Sequence, residues 1–282
     1  MRLLDGILRA LRPRPVPPPV DRPEEYLFIV CMNNSGSTLL ERLLRNCRNA
    51  VGFPAGPDEQ VNGQEFVEDL MPVPGQFKPQ CTRIWSEQAA VFEDESRYDW
   101  PRIKERWRIE WARNPKMMTA NPRVFLEKSP PNVLRAAMLN QHFENNSFVL
   151  IQRNPYAVAE GIRRRMAFSL DRCIVHWIRC AQKQMQNENI LRRTVRLSYE
   201  QLSSDPAFCR EQILRLVPAL DDLDMGKELT VHSIEGRKPR PLVNFNDAQI
   251  ATLSKDDLGV INNHLDKVPE VMSHFGYDYV RP

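Results

Sequence analysis

The sequence predicts an α/β protein in three layers, a central and mainly parallel β-sheet with helices on both faces. Three observations carry that expectation. Tyr26–Met32 is a run of aromatic and β-branched residues of the kind buried on both faces of a parallel sheet. After a short polar turn, Leu39, Leu40, Leu43, Leu44 and Cys47 recur at helical spacing. Further along, strand-like and helix-like runs alternate, the pattern of parallel strands joined by crossover helices.

Taken in order, residues 1–12 place Leu3, Leu4, Ile7, Leu8 and Leu11 on one helical face, with Arg2, Arg9 and Arg12 elsewhere. This segment is a candidate for weak peripheral contact with an anionic membrane surface. Residues 13–23 carry six prolines and read as an extended linker. Residues 24–282 are then the globular domain. Ala50–Pro79, rich in Pro and Gly, reads as irregular and holds Glu59, Glu65 and Glu68. Glu95–Lys116 reads as a helix in which Trp107 and Trp111, with Trp100, suit a core better than an acceptor wall. Val124–Glu127 is a short strand, followed by Lys128-Ser129-Pro130-Pro131-Asn132 and a helix through Leu139. Phe148–Gln152 is a second buried strand. Asn154 before Pro155 is a helix start, Asn as cap and Pro at the first helical position, with the helix running through Ile162. Residues 171–190 are helical, Thr194–Ser198 is a strand and Pro206–Leu216 a helix. Ser254 with Asp257 resembles a capping pair ahead of Leu258, Ile261 and Leu265.

The chain has 282 residues, 42% hydrophobic and 27% charged, enough for a sizeable core. A net charge of +3 does not argue for nucleic acid, but it suits a ligand with several negative charges. The six cysteines show no CxxC spacing, so neither a zinc site nor a thioredoxin motif is indicated, and a reducing compartment is expected. No apolar run reaches the ~18 residues of a membrane span. The N-terminus lacks the pattern of a signal peptide. With no HExxH and no Asp-rich motif, no metal is expected.

The turn Asn33-Asn34-Ser35-Gly36-Ser37-Thr38 is small and rich in hydrogen-bonding groups. A strand feeding a helix through such a turn aims backbone N–H groups and the positive helix end at one point, an anion site suited to phosphate or sulfate. The string GxxxxGK[ST] of an NTP-hydrolysing loop occurs nowhere, and Gly36-Ser37-Thr38 lacks its Lys. That weakens kinase and ATPase readings. A GxGxxG dinucleotide turn is missing too.

Ser35-Gly36-Ser37-Thr38-Leu39-Leu40 after a strand resembles the P-loop-like phosphosulfate-binding loop of sulfotransferases. Four further blocks follow in that family's order. Glu127-Lys128-Ser129-Pro130 is similar to the EKSP segment of carbohydrate sulfotransferases. Ile151–Pro155 through Arg165 is similar to the strand and helix that bind a 3′-phosphate. Leu197–Leu202 with Asp205-Pro206 is similar to the "YEDL…DP" block, and Phe275-Gly276-Tyr277 to the "GY" ending. The resemblance spans roughly residues 26–280. It implies transfer of a sulfuryl group from 3′-phosphoadenosine 5′-phosphosulfate (PAPS) to a hydroxyl of a carbohydrate, lipid or small natural product, releasing PAP without a metal. It further implies donor contacts from Ser35, Gly36, Ser37, Thr38, Leu39, Arg153, Gly161 and Tyr199, the last near the adenine.

The sequence departs from the family in instructive places. The loop's usual Lys or Arg falls at Asn34, which brings no charge. Lys128, after a strand at the carboxyl end of the sheet, is the expected substitute cation. The family's Ser falls at Gly161, whose N–H is still a donor, and one of Arg163, Arg164 and Arg165 is a candidate to compensate. Gly236–Arg240 partly resembles a basic loop that clamps the 3′-phosphate, with Arg237 and Lys238 as candidates. For the general base, Glu65 is preferred because Phe66 would shelter it; Glu59 is the alternative and Glu127 the fallback. Two other readings stay open: a nucleotide or small-molecule kinase on a variant loop, and a non-catalytic PAPS- or PAP-binding protein. Golgi members of the family carry an N-terminal membrane anchor that is not seen here, so a cytoplasmic, bacterial protein is expected.

Overall fold

Side chains alternate across a strand, and the first strand, β1 (Glu25–Cys31), is apolar on both sides. Tyr26, Phe28 and Val30 enter one hydrophobic core, while Leu27, Ile29 and Cys31 enter another. Both faces must therefore be covered by helices. The computed structural model describes residues 25–56, 59–73, 89–233 and 236–281, of which the side chains of 231–237 are not described. The amphipathic segment 1–12 and the proline stretch 13–23 lie outside the described residues.

After β1 come α1 (Ser37–Asn46), β2 (Ala50–Val51), α2 (Ala89–Glu93), α3 (Trp100–Ala112), α4 (Lys116–Thr119) and β3 (Val124–Lys128). Then follow α5 (Asn132–His142), β4 (Asn146–Gln152), α6 (Pro155–Met166), α7 (Leu170–Ile190), β5 (Thr194–Ser198), α8 (Tyr199–Ser204) and α9 (Pro206–Leu216). A hairpin of β6 (Leu229–Ser233) and β7 (Gly236–Arg240) precedes α10 (Asn246–Ile250), α11 (Lys255–Leu265) and α12 (Pro269–Phe275).

Five strands form one sheet in the order β2-β3-β1-β4-β5, every neighbouring pair parallel. The chain leaves β1 toward β2 and β3 on one side, then crosses to β4 on the other. The carboxyl end of β1 is thus the topological switch point, where open α/β sheets leave a crevice for ligands. One core lies between the sheet and α5, α6 and α7, the other between the sheet and α1 and α9. On α1, Leu40, Leu43 and Leu44 are buried, each worth about 2 kcal/mol of removal from water.

Register decides which residues reach the crevice. Ile29 lies opposite Lys128 on one side and Val149 on the other, so Lys128 ends β3 beside the last turn of β1. Gln152 lies opposite Ser198, so Arg153 and Tyr199 emerge side by side from β4 and β5.

Two expectations need correction. The helix expected over Glu95–Lys116 is broken: Asp99 caps α3, accepting from the Arg102 N–H at 3.3 Å, and a proline occupies its first turn. Gly236–Arg240 is not a loop but strand β7, paired antiparallel with β6.

Candidate active site

The loop between β1 and α1 is shaped by two left-handed residues, Asn34 at φ 62° and Gly36 at φ 84°. Gly36 is required twice over. Its backbone angle is strained for any other residue, and a Cβ there would stand 2.5 Å from Cδ2 of Tyr199. Gly36 also begins α1 with no side chain capping the helix, which leaves the helix end to other acceptors. Ser35 is fully buried and its hydroxyl donates to the Met32 carbonyl at 2.8 Å, so it braces the loop from beneath rather than facing outward.

In front of this loop lies a cleft of about 600 Å³. Asn34, Gly36, Ser37, Thr38 and Leu39 line one wall. Its described lining includes five basic residues, Arg42, Lys128, Arg153, Arg164 and Arg165, and no Asp, Glu or His. The cleft is therefore a region of positive potential with low-dielectric walls, fit for a polyanion.

Arg153 is 7% exposed and almost wholly employed in construction. Its Nη1 donates to the Asn34 carbonyl and its Nε to Asn246 Oδ1, both at 2.9 Å, while Nη2 donates to Gln249 Oε1. The guanidinium stacks 3.8 Å from the Tyr199 ring centroid. Burial pulls its pKa below the ordinary arginine value, opposed by Tyr199, Glu200 and other neighbours. Tyr199 donates through its hydroxyl to the Val243 carbonyl at 2.8 Å. Glu200 accepts from the Asn154 N–H at 2.9 Å, from Asn246 Nδ2, and from the Tyr277 hydroxyl at 3.3 Å. The motif blocks that lie far apart in sequence thus knit together around Arg153.

Lys128 is 2% exposed, and its Nζ donates to Asn62 Oδ1 at 2.8 Å. Burial pulls its pKa below that of an ordinary lysine, offset in part by Cys31, Glu41, Glu127 and Glu65. Asn62 Nδ2 in turn donates to Glu65 Oε1, so a single amide joins the ammonium to a carboxylate. The turn carrying Asn62 is pinned from below. Trp107 Nε1 donates to the Gly63 carbonyl at 2.8 Å, and the Gly63 N–H donates to Glu127 Oε1 at 3.1 Å. Trp107 and Trp111 are fully buried and Trp100 is 2% exposed, so they belong to the core.

The carboxylates sort differently from the sequence expectation. Glu65 is exposed, because Phe66 turns away to stack on Phe53. Glu59 folds onto its own loop, accepting from the Gly56 N–H at 2.8 Å, and is not in the described cleft lining. Glu127 is 1% exposed and accepts three hydrogen bonds, from Gly63, Ser129 and Asn132. It braces the site and is outside the described cleft lining. Gly161 lines the cleft but sits within α6, so its N–H belongs to the helix and is not available to a ligand. Lys238 is exposed on β7, outside the described cleft lining, and the side chain of Arg237 lies outside the described part.

Arg42, Gln249 and the segment Pro241–Phe245 also belong to the site, and sequence reading missed them. Arg42 had a usable signal: it lies four residues beyond Thr38 on α1, hence one turn above the loop on the same face. Pro241–Phe245 had none, since tertiary packing alone brings it there.

Fold and loop first define a class: a parallel α/β protein with a basic cleft at the switch point of its sheet. The family follows from comparison. The model of the Sulfotransferase family matches residues 27–217, more than half of the chain, and the protein belongs to that family. Among solved structures it is similar to the sulfotransferase domain of the curacin biosynthetic pathway, with 15% identity and a TM-score of 0.52 over 93% of this chain and 100% of that one. The sulfotransferase domain of the Synechococcus PCC 7002 olefin synthase gives 15% and 0.52 over 94% and 99%. A sulfotransferase from Alicyclobacillus acidocaldarius gives 13% and 0.50 over 92% and 98%. At such identities these likenesses speak for the fold. Among curated proteins none matches the sequence.

Proposed function

We propose that this sulfotransferase takes its sulfuryl group from PAPS and delivers it to a hydroxyl of a carbohydrate, lipid or small natural product. The observation that carries the donor reading is the cleft, with five basic residues and no acidic one in its described lining, at the end of the β1–α1 loop. A bisphosphorylated nucleotide with a sulfate suits such a lining, and Tyr199 brings an aromatic ring to the cleft wall beside the loop.

In the transfer, the bond between sulfur and the bridging phosphate oxygen breaks and its electron pair stays on the 5′-phosphate of PAP. A bond forms between sulfur and the acceptor oxygen, which loses its proton. As in phosphoryl transfer, catalysis is mainly alignment and stabilisation of charge on the oxygens. The loop N–H groups, with Ser37 and Thr38, hold the phosphosulfate end; Lys128, fixed by Asn62, meets the oxygens on which charge develops. Glu65 is the favoured proton acceptor because one amide links it to Lys128, whereas Glu59 is turned to Gly56 and Glu127 is buried outside the cleft lining in three hydrogen bonds.

The test is transfer of labelled sulfate from PAPS into a panel of sugars, lipids and phenolic or aliphatic alcohols. Label is expected in at least one class and is lost with Lys128→Ala. Tight PAP binding with no transfer to any member would favour a non-catalytic binding protein instead.

A further inference from the structure

Each cation of the cleft can be followed to its anchor. Arg153 clamps the loop carbonyl of Asn34 and α10. Arg42 donates to the Thr230 carbonyl at 2.7 Å, and Lys128 to Asn62. On the last turns of α6, Arg163 meets Asp257 at 2.7 Å, and Arg164 meets Glu160 at 2.7 Å. Arg165 does something different. Its Nη1 donates to the side-chain oxygen of Asn34, at 2.9 Å, and it lines the same cleft.

Gly161 lies on α6 beside that contact. Residues 161 and 165 are four apart on α6 and share a face. A Cβ at Gly161 would lie 3.6 Å from Asn34 Nδ2 and 3.3 Å from Gln249 Nε2. The Asn34 amide therefore lies in van der Waals reach of this turn of α6, with its oxygen toward Arg165 one turn on. Asn34 Nδ2 is buried and has no hydrogen-bond partner. A buried donor left unpaired costs free energy.

We propose that Arg165 is the cation of the β1–α1 loop: Asn34 holds its guanidinium at the loop, where the two together receive the 5′-phosphate end of the donor. Charge that a loop residue would bring is supplied from α6, and Asn34 and Arg165 work as one unit. The inference rests on the donor reading proposed above.

Calorimetric binding of PAP and of adenosine 3′-monophosphate tests it, because the ratio of the two affinities reads recognition of the 5′-phosphate alone. Arg165→Ala should lower that ratio by about 10- to 100-fold, the worth of a charge-assisted hydrogen bond, and leave adenosine 3′-monophosphate binding unchanged. Arg165→Lys should keep most of the ratio. Adding Asn34→Lys to Arg165→Ala should restore it, since the charge then arrives from the loop. An unchanged ratio in Arg165→Ala, or a loss that Asn34→Lys leaves unrepaired, overturns the assignment. A wild-type protein that binds neither nucleotide sinks the donor reading and the inference with it.

Discussion

Lys128 shows how a single buried charge sets the behaviour of the site. Burial pulls its pKa down, so the ammonium form is given up at lower pH than in an ordinary lysine. If the charged form serves transfer, turnover falls on the alkaline side earlier than a free lysine would dictate. Lys128→Arg keeps its charge at any working pH and should push that limb upward; a pH profile of kcat with the same alkaline limb in both proteins would exclude Lys128 as its source. Lys128→Ala should cost about 100-fold or more in turnover, the usual loss of a charge-stabilising donor. At Gly36 the backbone and Tyr199 act together. Gly36→Ala meets both a left-handed φ and a ring carbon at 2.5 Å, and should cost about 1–3 kcal/mol in urea unfolding along with PAP binding. Tyr199→Phe keeps the ring over Gly36 and Arg153 and loses only the bond to Val243, about 1 kcal/mol. A PAP-binding defect in Tyr199→Phe as large as that in Tyr199→Ala, which removes the ring as well, would contradict this division of labour.

Among the elements, those with short-range signals were legible in the sequence. Asn154 caps α6 by accepting from the Tyr156 and Ala157 N–H groups, Ser254 and Asp257 form a reciprocal capping box, and β5 and α9 fall where periodicity put them. The β6–β7 hairpin was not legible, because β7 holds Lys238, Pro239 and Arg240, residues that read as a surface loop until pairing with β6 is seen. The turn Asn62–Phe66 was equally hidden. Its position comes from Trp107 and Glu127, both distant in sequence. That turn has its own prediction. A Cβ at Gly63 would stand 2.7 Å from Glu127 Oε1 and from Phe53, neither with room to move. Gly63→Ala should lose about 1–3 kcal/mol of stability by overpacking. It should also slow turnover, since Asn62 and Lys128 are displaced together. Thermal unfolding and kcat measured side by side check it, and an unchanged kcat would separate the turn from the site.

At the scale of the whole molecule, the parallel order β2-β3-β1-β4-β5 brings four of the five scattered motifs to one cleft. The loop, Lys128, Arg153 and Tyr199 follow the carboxyl ends of β1, β3, β4 and β5, so the motif order already implied their meeting. Which groups face a ligand was less legible, because that depends on who else holds them: Ser35 is spent on Met32, most of Arg153 on the loop and α10, and Glu127 on its neighbours. Arg165 was one of three candidates in the sequence, and its contact with Asn34 comes into view only with α6 in place; Arg42 was missed although its spacing from Thr38 placed it over the loop. The central claim is that this cleft is built for a bisphosphorylated adenosine. A thermal-shift titration with PAP, ATP and NADP tests it most directly, since a ligand bound only by the folded state raises its melting temperature by mass action. PAP at a hundredfold excess over its Kd should raise Tm by about 5 °C or more, with ATP and NADP well behind. A shift with ATP and Mg²⁺ equal to or above that with PAP would contradict the account.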